Sequence, residues 1–407
     1  MKRLLLGLVC SAGMVPTGVE TASDVTLYQT PAEGVVVTYR LAEEAIVTVD
    51  FLLDGESLGV SHVGGDVNRV VPAGMRRITW RPDAASGVRQ PVAAGKLSAK
   101  VTVWPKTNPP DYMAVDLMVT NVVRFYATTS AIPGGVASRR YKTTELLMRW
   151  IPAAGVEWRM GKASYQYGYD HYVKFSEDFY MGVYELTVKQ AHCINGHSAS
   201  SFKEAVPDFW VLPLDGVSWR TMRGGTDWPS AGHEVGEGLL AAFRAWTGLR
   251  LDLPTSSQWE FACRAGTSTD YWWGSEATDL AARMNYKMSG IGHPVEVGLY
   301  PPNPWGLYDM YGNTIEECLD YLCLNENYEA LYDGKPETAI LNPKGPSREK
   351  CNVRVTASNQ EYCVRVGRGG GFSDGVATSY ALAAANVHEY NDGNKWIGYR
   401  LVCPLPW

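Results

Sequence analysis

The chain has 407 residues, 45% of them apolar and 20% charged, with a formal net charge of −6. That length exceeds one ordinary hydrophobic core, so two or more domains are expected, and the apolar content excludes an intrinsically disordered chain. No Lys/Arg block follows the first few residues, which argues against a nucleic-acid face, because neutralising phosphates takes clustered cations.

The chain begins MKRLLLGLVCSAG: two basic residues, an apolar run from Leu4 to Val9, then small residues. This is the layout of a secretory signal, expected over residues 1–22, and it points to a secreted, periplasmic or cell-surface protein. The apolar run is too short to span a bilayer, so no membrane span is expected. A lipid anchor at Cys10 is disfavoured, because bulky Leu8 and Val9 stand where small residues are wanted.

Residues 24–105 read as strands. "GVVVTYRL", "AIVTVDFLLDG", "RRITWRP" and "KLSAKVTVW" are β-branched and aromatic runs bounded by Gly, Pro and Asp. Asp54-Gly55 is a two-residue hairpin turn. The pattern predicts an all-β, immunoglobulin-like sandwich acting as a scaffold. "WPKTNPPDYM" at 104–113 then breaks it, and residues 106–144 read as a connector.

From 145 to 407 the texture changes to short strands, aromatics and long loops, and the 41 glycines, 14 tryptophans and 23 tyrosines point to loop-rich packing. Two helices stand out. "GEGLLAAFRAWTG" sets Leu239, Leu240, Phe243 and Trp246 on one face and stops at Gly248. "LPTSSQWEFACRAG" starts with Thr255 as N-cap and Gln258 three residues on, and ends at Gly266. Trp259 and Ala262 then face inward, while Glu260 reads as a surface or loop-tying carboxylate. Beyond the signal the cysteines number seven, an odd count, with Cys351 and Cys363 flanking a hairpin-like stretch as the most plausible disulfide. The scattered histidines offer no metal-binding pair on one helix face.

"PNPWGLYDMYGNTIEECLDY" (302–321) concentrates Asp309, Asn313, Glu316, Glu317 and Asp320 among aromatics. Read alone, it leaves three possibilities open: a metal site, a catalytic carboxylate pair and a polar turn.

"FYMGVYELTVKQ", "LDGVSWRTM", "LDLPTSSQWEFACRAGT", "YWWG", "VGLYPPNPWGLYDMYGNTIEE", "GRGGGF" and "IGYRLV" follow one another over roughly 145–407. In this order they resemble the formylglycine-generating enzyme (sulfatase-modifying factor) family. The resemblance implies an α+β, C-type-lectin-like domain with little regular secondary structure. Its best-known members oxidise a sulfatase cysteine with copper and molecular oxygen, using two cysteine ligands. In this sequence those ligand positions fall on Asp374 and Ser379, and no cysteine lies between Cys363 and Cys403. Gly371 and Ile315 also depart from the family pattern. Hard oxygen donors do not hold Cu(I), so copper is not expected. The resemblance further implies a structural calcium held by Asp309, Gly312, Thr314 and Glu316, with Asn285 matching part of a second site; calcium favours such oxygen sets. His388 and Tyr390 lie near the rim of the ancestral groove as candidate ligand contacts. The expected function is a non-catalytic module, a pseudoenzyme binding a peptide, glycan or protein; the alternative is a family oxidoreductase with altered chemistry.

Overall fold

The computed structural model describes residues 20–58, 63–82, 91–93, 95–161, 171–198, 200–225, 227–275, 278–322, 338–350, 353–355, 361–375, 386–388 and 394–405. Cys10, Cys351, Ser379 and Tyr390 lie outside these residues, as do the side chains of Cys363 and His388. The chain divides into two compact units, Met1–Pro110 and Asp111–Trp407.

Among its described residues the first unit holds two antiparallel sheets. In one, Ala45–Leu53 pairs along its length with Leu97–Trp104, from Ile46 opposite Trp104 to Leu53 opposite Leu97. Glu20–Thr21 pairs on the far side of Leu97–Trp104, so the last residues assigned to the signal belong to this sheet. The other sheet runs Ser23–Thr30, Gly34–Leu41, Gly74–Trp80, Val63–Gly65. Asp54 and Gly55 both take positive φ, 50° and 90°, with Leu53 facing Glu56. That is the turn the Asp-Gly pair predicts, since two left-handed residues match the right-handed strand twist. Val35, Val36, Val37 and Ile46 are fully buried, and Phe51 of one sheet stacks on Trp80 of the other at 4.2 Å.

The second unit is built on a five-stranded antiparallel sheet in the order Val123–Tyr126, Tyr112–Asp116, Glu145–Ile151, Phe179–Gly182, Val402–Pro404. The stretch 106–144 is therefore not a connector. Tyr112–Asp116 pairs with Glu145–Ile151 over five residues and is buried throughout. It was hidden because it is a short run entered through the prolines at 105, 109 and 110. A second sheet sets Ile315–Tyr321 between Arg365–Arg368 and Ile397–Gly398.

Among the described residues are four α-helices: α1 (Val188–Asn195), α2 (Trp219–Arg223), α3 (Leu239–Thr247) and α4 (Ser256–Arg264). α3 stops at Gly248 with φ 70°, buries Leu239, Leu240 and Phe243, and leaves Trp246 half-buried. α4 carries the expected capping box: Thr255 accepts from the Gln258 N–H, and the Gln258 side chain accepts from the Thr255 N–H. Its left-handed end residue is Ala265, one before the predicted glycine. Glu260 is fully buried and not on the surface. Two arginines draw it inward: Arg264 at 2.7 Å and Arg368 at 3.2 Å, while the Gly161 N–H donates to it at 2.8 Å. Its loop-tying role holds.

Candidate functional site: a buried carboxylate hub and the loop beside it

All seven residues of Ile315–Tyr321 are buried, although three of them are acidic. Strand alternation sends Glu316, Cys318 and Asp320 to one side, and Glu317, Leu319 and Tyr321 to the other. The first side meets α4. Glu316 Oε2 accepts from Trp259 Nε1 at 2.6 Å, and Asp320 Oδ2 accepts from the Ser256 N–H at 2.6 Å. The second side meets Trp219 of α2 through Arg365, whose guanidinium lies 3.9 Å from the Trp219 ring centroid and 3.4 Å from that of Tyr321.

The preceding turn is tight. Asp309, Gly312 and Asn313 all have positive φ. A Cβ on Gly312 would lie 2.3 Å from the Asn285 carbonyl oxygen, so only glycine fits there. The Asn313 N–H donates to that same oxygen at 2.8 Å. Glu185, fully buried, accepts from the Thr314 N–H at 3.0 Å, from the Thr314 hydroxyl, and from Asn313 Nδ2 at 2.7 Å.

Arg400 joins these groups. Its Nε and Nη2 grip Glu316, and its remaining donors reach the Gly182, Val183 and Tyr308 carbonyls at 2.9, 3.1 and 2.8 Å. Burial opposes the arginine's charge, but Glu316, Glu185 and Asp309 hold its pKa above the ordinary value. Burial raises Glu185 well above the usual carboxylate range, and the charges of Asp309 and Glu316 add to the effect. Burial likewise lifts Asp309 and Asp320 to about 6. Glu317 is lifted to about 7, again by burial. The Tyr399 hydroxyl lies 2.7 Å from the Val217 carbonyl and donates to Glu317 Oε2 at 2.9 Å, a contact that favours the ionised carboxylate and partly offsets the effect of burial.

The structure thus brings Asp309, Gly312, Thr314 and Glu316 into one buried hub, with Asn285 against the turn. Both oxygens of Glu316 accept hydrogen bonds, from Arg400 and from Trp259. The Asn285 side-chain oxygen likewise accepts from Ser289 Oγ at 3.0 Å. Among the described residues, no group of three or more His, Cys, Asp or Glu is placed to hold a metal ion. Sequence reasoning assigned no role to Glu185 or Arg400, although "VYEL" and "GYRL" each place a lone charge in an otherwise apolar run.

Asp374 sits on the loop after Arg365–Arg368. Its Oδ2 accepts from the Gly371 N–H at 2.9 Å, and its carbonyl accepts from the Lys287 N–H at 3.0 Å. Burial raises its pKa. Gly371 lies against Ile315, so the two positions that depart from the family pattern are neighbours. A Cβ added at Gly371 would stand 3.4 Å from the Ile315 side chain. Phe372 donates its N–H to the Asn313 carbonyl at 2.8 Å and meets Phe202 edge-on. The loop is therefore strapped to the hub. The described free thiols, Cys193, Cys263, Cys318 and Cys403, all have pKa values raised by burial, Cys403 to about 12. An oxygen donor at Asp374 does not fit Cu(I).

Residues 120–405 match the Sulfatase-modifying factor enzyme 1-like domain. The formylglycine-generating enzyme of Mus musculus is 28% identical over 178 residues, 38% of this chain and 44% of that protein. The formylglycine-generating enzyme of Thermomonospora curvata is 30% identical over 210 residues, 47% of this chain and 63% of that protein. The chain thus spans less than two thirds of these relatives' length. Among solved structures, Treponema denticola variable protein 1 aligns with a TM-score of 0.47 and 21% identity, covering 64% of this chain and 95% of that one. No helix among the described residues is long and apolar enough to cross a membrane.

Proposed function

Because the chain belongs to the sulfatase-modifying factor enzyme 1-like family, we propose that it is a secreted, non-catalytic member that binds a peptide, protein or glycan. The observation that carries this reading is Asp374. A carboxylate, bonded to the Gly371 N–H, stands where the resemblance places a copper-binding cysteine. No cysteine follows until Cys403, so the soft ligand pair is missing from the sequence. A fold carries an activity only through its site, and here the site's defining chemistry is absent. The two-sheet first unit serves in this reading as an immunoglobulin-like spacer, and the basic-then-apolar start of the chain as its export signal.

The test uses the full chain with copper, oxygen and a Cys-x-Pro-x-Arg peptide, read by mass spectrometry. No aldehyde above the copper-only control is expected. Aldehyde that grows with protein concentration would overturn the proposal in favour of an oxidoreductase. A parallel peptide and glycan array should give saturable binding to one ligand class; an array without any such binding counts against the module reading.

A further inference from the structure

The turn at 309–316 gathers three buried carboxylates, Glu185, Asp309 and Glu316, around one fully buried guanidinium. We infer that Arg400, and not a bound metal ion, is the resident cation of this turn, so that this part of the fold forms without calcium.

Donor and acceptor counts carry the inference. Arg400 has five N–H groups, and five contacts absorb them: Glu316 through Nε and Nη2, and the Gly182, Val183 and Tyr308 carbonyls. Nothing in the guanidinium is left unsatisfied, which is the condition under which a buried arginine is tolerated. Glu316 receives Arg400 on both oxygens and the Trp259 indole on Oε2. A calcium ion needs about six to eight oxygen ligands at roughly 2.3–2.6 Å. Here the nearest carboxylates already face N–H groups: Glu316 as above, and Glu185 with the Thr314 N–H and Asn313 Nδ2. Asp309 Oδ2 takes the Gly298 N–H at 2.5 Å, leaving only Oδ1 buried without a hydrogen bond. One such oxygen, even with the Gly312 and Thr314 carbonyls, falls short of the roughly six to eight donors calcium needs. A divalent ion at Glu316 would also stand against a guanidinium that cannot lose its charge.

The experiment measures the melting temperature of the full chain in EDTA and in saturating calcium, for the unmodified protein and for Asp309→Ala, which removes the side-chain oxygen donor. Equal melting temperatures for the unmodified protein are expected, since an ion that binds only the folded state would raise the value by several degrees. A rise that survives Asp309→Ala places calcium elsewhere and also supports Arg400 as the cation here. A rise abolished by Asp309→Ala overturns the inference. Should that variant not fold, crystals of the unmodified chain soaked in terbium decide the matter. An anomalous peak within coordination distance of Asp309 or Glu316 refutes the inference, and its absence there supports it.

Discussion

Gly34–Leu41 in the first unit and Ile315–Tyr321 in the second are both central strands with most or all of their residues buried. One is filled by Val35, Val36 and Val37, the other by Glu316, Glu317 and Asp320. The valine strand needs only to be covered, because apolar burial is non-directional. The acidic strand needs a named partner for each carboxylate, and those partners come from α4 and from Tyr399 and Arg400, just after Ile397–Gly398. Order in the first unit therefore follows from volume, and in the second from pairing. Substitutions should separate the two.

The largest contrast is expected at Arg400. Arg400→Met leaves Glu316 buried with its main partner gone, a situation that costs about 3–5 kcal/mol. Val36→Ala in the first unit should cost roughly 2–3 kcal/mol, for lost burial plus a cavity. Urea unfolding of both variants measures the difference. If Arg400→Met is no more costly than Val36→Ala, pairing does not dominate the second unit.

Next comes a pH dependence that the valine core cannot show. The Glu317 carboxyl has an ordinary value of 4.5 and is raised by burial to about 7 in the fold, where Tyr399 and Arg365 face it and favour its ionised form. Below pH 4.5 it is protonated in both states, and its stabilising contribution is complete. As pH rises towards 7 the unfolded chain gives up the proton first, so stability falls, by up to about 3 kcal/mol. Glu317→Gln mimics the protonated acid and should remove that share of the slope, leaving the parts due to Asp309 and Asp320. Unfolding free energies between pH 4.5 and 7.5 measure it. An unchanged slope would mean that Glu317 is ionised in the fold.

A smaller effect belongs to a local device. Thr255→Ala removes the side-chain acceptor at the start of α4, for a loss of about 1 kcal/mol. α4 also carries Ser256 and Trp259 to the acidic strand, so a loss well above that figure would show cap and hub to be coupled. A Thr255→Ala, Glu316→Gln double-mutant cycle separates the two contributions.

What could be read in the sequence followed the range of the interactions involved. The Asp54-Gly55 turn, the α3 stop at Gly248 and the α4 capping box were legible because each depends on residues within a few positions. Glu316 was legible as a buried oxygen donor, but its partner was not, because Arg400 stands 84 residues further along. Clustered carboxylates need a cation beside them, and here a side chain supplies one. Glu260 was misplaced for the same reason, since Arg368 reaches it from another element. Tyr112–Asp116 escaped because a five-residue strand after prolines carries little periodicity of its own. Asp374 was located by register alone, and only the structure ties its carboxylate to the Gly371 N–H.

The smallest effect tests the comparison from the other side. Lys96 and Asp54 form an ion pair at 3.5 Å, with their side chains 57% and 61% exposed. Such a pair gains little, because solvent screens the attraction and two mobile side chains lose entropy in holding it. Lys96→Ala should therefore change stability by no more than about 0.5 kcal/mol. Adding about 0.5 M salt should erase even that, since the Debye length then falls to only a few ångströms. Arg400→Met, whose ion pair lies out of reach of solvent, should keep its full cost in the same salt. A Lys96→Ala loss above about 1 kcal/mol that salt removes would show the first unit leaning on charge after all. Volume alone would then no longer account for it.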